Sequence, residues 1–123
     1  MTSRPTPRAV ALVAVGGFVG AVCRHGVAVA LPAGVPWGTL AANAAGSFAL
    51  GGLVYGARYG ADVSEETRLL VGTGALSSFT TYSTFAAETL ALSPALAVGN
   101  VAATYGLGLA GVLAARAVAR WAT

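Results

Sequence analysis

The residues that could do chemistry in this chain are hydroxyls, one amide and a few rings. The stretch 77 to 84, "SSFTTYST", carries a hydroxyl on every side chain but Phe79, and it sits inside a long apolar run whose one charge is Glu88. Upstream, Thr39, Asn43 and Gly46 stand at i, i+4 and i+7, which places them on one face of a helix. An amide in hydrocarbon is expensive and marks a candidate functional site. Hydroxyls and amides of this kind donate hydrogen bonds without carrying charge, which suits holding an ion weakly.

Other chemistries are poorly supplied. Cys23 is the single cysteine and His25 the single histidine, so neither a disulfide within the chain nor a convergent zinc site can be built. "GTGALS" (72 to 77) lacks the last glycine and the preceding strand of a dinucleotide fingerprint. No nucleophile, base and acid set is present, so an enzyme is not expected. The seven arginines are scattered, six at segment ends and Arg24 within the first span, and no stacking platform accompanies them, which argues against nucleic acid.

The elements that must position these residues lie in a bilayer. Of the 123 residues 56% are hydrophobic and 9% charged, with no lysine, whereas a soluble domain is about 25% charged. A spanning helix needs about 20 apolar residues, and four segments qualify: 9–31, 37–57, 69–92 and 95–115. The sequence predicts one four-span domain, an all-α membrane protein. The first apolar run exceeds a secretory signal core and is read as a span rather than a leader. "PAGVP" (32 to 36) and Ser93-Pro94 are tight turns, and "RYGADVSEETR" (58 to 68) is the one charged loop, with Ser64, Glu65 and Glu66 forming a helix start.

Glycines four apart, at 16 and 20, 52 and 56, and 56 and 60, suggest close helix approach. With four spans, Arg4, Arg8, Arg58, Arg68, Arg116 and Arg120 fall on one side and none on the other. That bias predicts both termini in the cytoplasm. Arg24 and Glu88 are the charges inside spans, expected at an outer vestibule or as a structural pair. In the third span, two glycines followed by hydroxyls predict an interruption of the helix near the bilayer midplane, because Ser and Thr can satisfy freed peptide groups there.

Three segments then carry a resemblance. "GGFVGAVCRH" (16 to 25), "GTLAANAAGSFALG" (38 to 51) and "GTGALSSFTTYSTF" (72 to 85) resemble the signature segments of the Fluc (CrcB) family of fluoride channels. The resemblance implies an antiparallel dimer of four-span subunits in the cell membrane, passive fluoride export, and a structural sodium ion held by backbone carbonyls at the centre. It assigns the fluoride pathway to Thr39, Asn43, Tyr82, Ser83, Thr84 and Phe85, and the sodium carbonyls to Ser77 and Thr80. Where the family has Gly-Gly ahead of the interruption this chain has Ser77-Ser78, and Tyr82 replaces the first phenylalanine. The one-sided arginine bias points to a heterodimer with a related subunit of opposite orientation. The competing readings are a non-conducting partner subunit and a small four-span proton-coupled drug exporter. The latter needs a carboxylate in the first span, where this chain has Arg24 and no acid.

Overall fold

The computed structural model describes residues 3–122, and these are helical throughout apart from short connections. Helix α1 is Pro7–Ala30, α2 is Trp37–Arg58 and α6 is Pro94–Ala122; each is long and apolar enough to cross a membrane. Between α2 and α6 the third segment comes in pieces. It runs as α3 (Glu65–Thr67), a wide π segment (Arg68–Leu76), α4 (Ser77–Phe79) and α5 (Ser83–Ala91).

Local chemistry sets the ends. Thr6 caps α1, its Oγ1 accepting from the Ala9 amide at 3.1 Å, and Pro7 opens the helix. Pro32 forces the preceding Leu31 into extended backbone (ψ 154°), and α1 stops. At the far end of α2, Gly60 adopts φ +103°, which lets its amide reach the Ala57 carbonyl while the Ala61 amide reaches that of Gly56. This paired closure satisfies carbonyls the helix would otherwise leave free. Ser64 caps α3 through the Thr67 amide at 3.1 Å. Pro94 opens α6.

Two seams hold the bundle. Along the first, α1 lies against the π segment with almost no side chain between them: a methyl at Gly16 would collide with the Leu70 carbonyl oxygen and one at Gly20 with that of Ala75. From the other side, a Cβ at Gly74 would sit 2.9 Å from the Gly16 Cα. The second seam joins α2 to α6, where Gly51 faces Val112 and Ala115 and Gly111 faces Ala44. Gly52 has open space around it and Gly56 only an ordinary contact with Ala61, so the fourfold spacing marks a helix interface at 16 and 20 but not at 52, 56 and 60.

Among the described residues the buried apolar side chains are Ala42, Phe85, Ala115 and Ala119, small residues apart from one ring. Large ones point outward: Phe18 is 72% exposed, Leu90 86% and Trp121 92%. Small residues inside and large ones outside is the arrangement expected where lipid, not water, is the solvent. The six arginines of the charged side gather at one end, where Arg8 pairs with Glu66 at 3.4 Å and the Arg116 guanidinium donates to the Tyr59 hydroxyl at 3.1 Å.

Candidate ion-binding groove

The α2 face carrying Thr39, Asn43 and Gly46 meets the third segment at three heights. Gly46 leaves room for Thr80, whose methyl occupies the space a side chain would take. One turn up, Asn43 grips the Thr81 peptide from both sides: its Nδ2 donates to the Thr81 carbonyl at 2.9 Å, and its Oδ1 accepts from the Thr81 amide at 2.8 Å. Another turn up, the Thr39 hydroxyl donates to Glu88 Oε1 at 3.0 Å.

The hydroxyl run divides its work around residues 80–82, which are non-helical. Ser77 and Thr80 bond back one turn, Ser77 to the Thr73 carbonyl and Thr80 Oγ1 to that of Leu76 at 3.0 Å. Thr80 then turns extended (ψ 155°) and α4 ends. Thr81 Oγ1 accepts from the Thr84 amide at 3.2 Å and starts α5 as a cap does. Because the Thr81 amide is given to Asn43, the Ser77 carbonyl loses the donor that a continuing helix would supply.

Beside this junction lies a groove of about 580 Å³. Asn43, Ser77, Thr80, Tyr82 and Phe85 all line it, together with Tyr105 from α6, and no charged side chain does. Phe85 is 7% exposed. It is tilted against Tyr82 with ring centroids 6.0 Å apart and meets Tyr105 edge to face at 6.1 Å. The Asn43 Nδ2 carries a second hydrogen beyond the one given to Thr81. The Thr104 hydroxyl, also in the groove wall, is buried without a hydrogen-bond partner. An amide hydrogen and ring edges with their positive quadrupole rim can attract an anion without a countercharge.

The remaining residues singled out from sequence lie elsewhere. Thr39 and Glu88 line a smaller cavity of about 320 Å³ beside the 31–36 turn. Ser83 and Thr84 are exposed and outside both cavities. Arg24 and Glu88 do not pair: the one ion pair among the described residues is Arg8 with Glu66. The reason is the seam, since α1 packs on the segment before Thr80 whereas Glu88 stands beyond it, turned to Thr39 on α2. Sequence reasoning assigned no role to Thr81, whose peptide Asn43 holds, or to Tyr105, which α6 offers beside Thr104 with no spacing that marks it.

A three-level contact between one polar helix face and a run of hydroxyls is the setting in which likeness to known proteins becomes informative. Residues 11–116 match the family described as CrcB-like protein, Camphor Resistance (CrcB). The chain belongs to this family. It is 64% identical over 115 residues to "Fluoride-specific ion channel FluC 1" of Natronomonas pharaonis, covering 94% of this chain and 97% of that one. It is 60% identical to "Fluoride-specific ion channel FluC 2" of Halobacterium salinarum (91% and 87% covered) and 52% identical to "Fluoride-specific ion channel FluC 1" of Haloarcula marismortui (94% and 88% covered). This CrcB chain is accordingly a multi-pass membrane protein of a channel family and not an enzyme.

Proposed function

We propose that this chain is a subunit of a fluoride-selective channel that lets cytoplasmic fluoride leave the cell passively. The observation that carries the reading is the groove: an amide hydrogen on Asn43 and the rings of Tyr82, Phe85 and Tyr105 stand together with no charged group lining the space. Fluoride must shed water to enter, and hydrogen-bond donors replace part of that shell. Conduction also requires that the ion leave, so uncharged, weak contacts serve better than a lysine or arginine would. Thr39 extends the polar face toward the mouth, and Arg24 raises the local anion concentration through its field.

Ser83 and Thr84 are exposed on the single chain, so their place in the pathway requires a second subunit packed on α5. We assign that place to an antiparallel partner in the cell membrane, with both termini of this chain cytoplasmic. The six arginines at one end fix one orientation, which favours a related subunit of opposite orientation over a second copy. Haloarcula marismortui has relatives under both numbered names, FluC 1 and FluC 2, which suits such a pair. The same bias supports the reading that this chain conducts only within that pair.

A sodium ion fits the helix junction. Hard cations take oxygen ligands, the Ser77 carbonyl lacks its helical donor, and Thr80 in extended backbone turns its carbonyl off the helix axis. No cluster of acidic, histidine or cysteine side chains exists among the described residues, so neutral carbonyls would hold it, with the partner subunit completing the set. When bound, the ion would supply positive charge beside the 80–82 junction.

Liposomes loaded with fluoride and containing this chain, alone or with a related subunit of inverted arginine bias, test the reading with a fluoride electrode. Rapid fluoride efflux, negligible chloride efflux and its loss in Phe85→Ile are expected. Efflux no faster than from protein-free liposomes in both preparations would overturn it. A C-terminal topology reporter giving a mixed inside and outside population would overturn the single orientation.

A further inference from the structure

We propose that Asn100 of α6 is a positioning residue for the Phe85 ring. The inference rests on the reading of the groove as the ion pathway, and it concerns a side chain outside that groove.

Helix α5 has nine residues, too few to hold a helix by itself. Its register and rotation must come from neighbours. On one side Thr39 reaches Glu88. On the other, Asn100 Nδ2 donates to the Thr89 hydroxyl oxygen at 2.9 Å, and that hydroxyl donates its single proton to the Phe85 carbonyl at 2.6 Å. The order is directional. Thr89 has spent its proton on Phe85, so it offers Asn100 only a lone pair, and a donor in series with a second donor strengthens both bonds.

Phe85 is thereby tied to α6 twice. Tyr105 meets its ring edge to face at 6.1 Å, and Asn100 reaches its carbonyl through Thr89. Asn100 and Tyr105 are five residues apart, about 7.5 Å along the helix axis. Two attachments at different heights hold the Phe85 turn of α5 to α6 by both its ring and its backbone, whereas the ring contact alone would fix that turn to α6 at a single point. An amide in an apolar helix between the outward-facing Leu96, Val98 and Val101 is costly unless partnered. Its partner is the hydroxyl that holds the Phe85 backbone.

The test incorporates 4-fluorophenylalanine at position 85 of the full chain in lipid nanodiscs and reads the ring by fluorine NMR. Asn100→Ala and Thr89→Val should each shift or broaden the resonance, the double variant should go no further than either, and Thr89→Ser should restore it. Gly51→Ala, which crowds Ala115 in the α2 to α6 seam with a Cβ 3.1 Å away, controls for loosening of the bundle. In liposomes the fluoride-to-chloride efflux ratio of Asn100→Ala should fall roughly three- to tenfold, the scale of one lost hydrogen bond. A resonance that moves no more in Asn100→Ala than in Gly51→Ala, or effects of Asn100→Ala and Thr89→Val that simply add, would overturn the proposal. A wild-type chain that passes no fluoride in either preparation would sink the channel reading instead, and the resonance would still decide the role of Asn100.

Discussion

The two halves of the third segment are held by different physics. Before Thr80, the π segment lies backbone to backbone on α1, with glycines at 16, 20 and 74 removing the side chains that would keep them apart, and α4 follows with the Ser78 side chain against Gly17. After Tyr82, α5 hangs on a few side-chain hydrogen bonds: Asn43 to Thr81 at its start, Thr39 to Glu88 on one face and Asn100 to Thr89 on the other. Close packing tolerates no adjustment, because dense contacts cannot stretch or shrink continuously. Hydrogen-bonded clips can exchange partners one at a time. A fixed half thus carries a half whose polar groups remain able to change partners.

The largest effect should come from the packed half. Gly20→Val places branched carbons where the Ala75 carbonyl already stands, and backbone cannot move aside as a flexible side chain does. Overpacking costs about 3 kcal/mol or more when backbone must shift. The expected outcome is loss of the monodisperse peak in size-exclusion chromatography. Gly26→Ala, in the same helix with nothing within 4 Å of its Cβ, should elute and melt as the wild type does. Equal behaviour of the two variants would break the comparison.

An intermediate effect belongs to the clip at the junction. Asn43→Leu keeps the volume but orphans both the Thr81 amide and its carbonyl, and leaving two such groups unpaired costs about 2–4 kcal/mol. Asn43→Asp in its neutral form, which burial at this depth favours, keeps an acceptor for the Thr81 amide and has one O–H in place of the amide hydrogens, so it should melt between Asn43→Leu and the wild type. Thermal unfolding followed by light scattering ranks the three. If Asp and Leu melt together, the amide hydrogen rather than the acceptor holds the junction.

Much of this site could be read from residue types and spacing, and the remainder could not for identifiable reasons. Thr39, Asn43 and Gly46 declared one helix face by their intervals, and that face is the one turned to the third segment. Gly16 and Gly20 declared a close approach. The π segment gave no such signal, since wide turns arise from the fit against α1 rather than from the propensity of Arg68–Leu76. Charge alone offers Arg24 and Glu88 as vestibule residues or as a pair, and they do not pair because the α1 seam lies on the other side of Thr80. Asn100 and Thr89 escaped notice because a single amide and a single hydroxyl on different helices show no relation until the helices are packed. Spacing reports faces within one helix; it is silent on which faces meet.

The smallest effect is expected where neither packing nor a buried bond is involved, at the charged end. Arg116, itself exposed, donates to the Tyr59 hydroxyl and lies over the Tyr55 ring with its guanidinium carbon 5.8 Å from the centroid, both rings being half-buried. The hydrogen bond from Arg116, together with its charge and those of Arg120 and Arg58, lowers the Tyr59 phenol below the usual tyrosine value. A depressed acid contributes its full increment of stability above its unfolded value and loses it as pH falls through the folded one. That increment therefore belongs to the basic side of the phenol's titration, and it is there that loss of Arg116 should be felt. Arg116→Met should therefore leave the thermal midpoint at pH 7 unchanged while returning the Tyr59 phenolate absorbance to a higher titration midpoint, read as the difference from Tyr59→Phe. A large drop in the neutral-pH midpoint would show that this end is clamped in the way the glycine seam is, and that the division between a rigid half and a clipped half does not extend along the whole bundle.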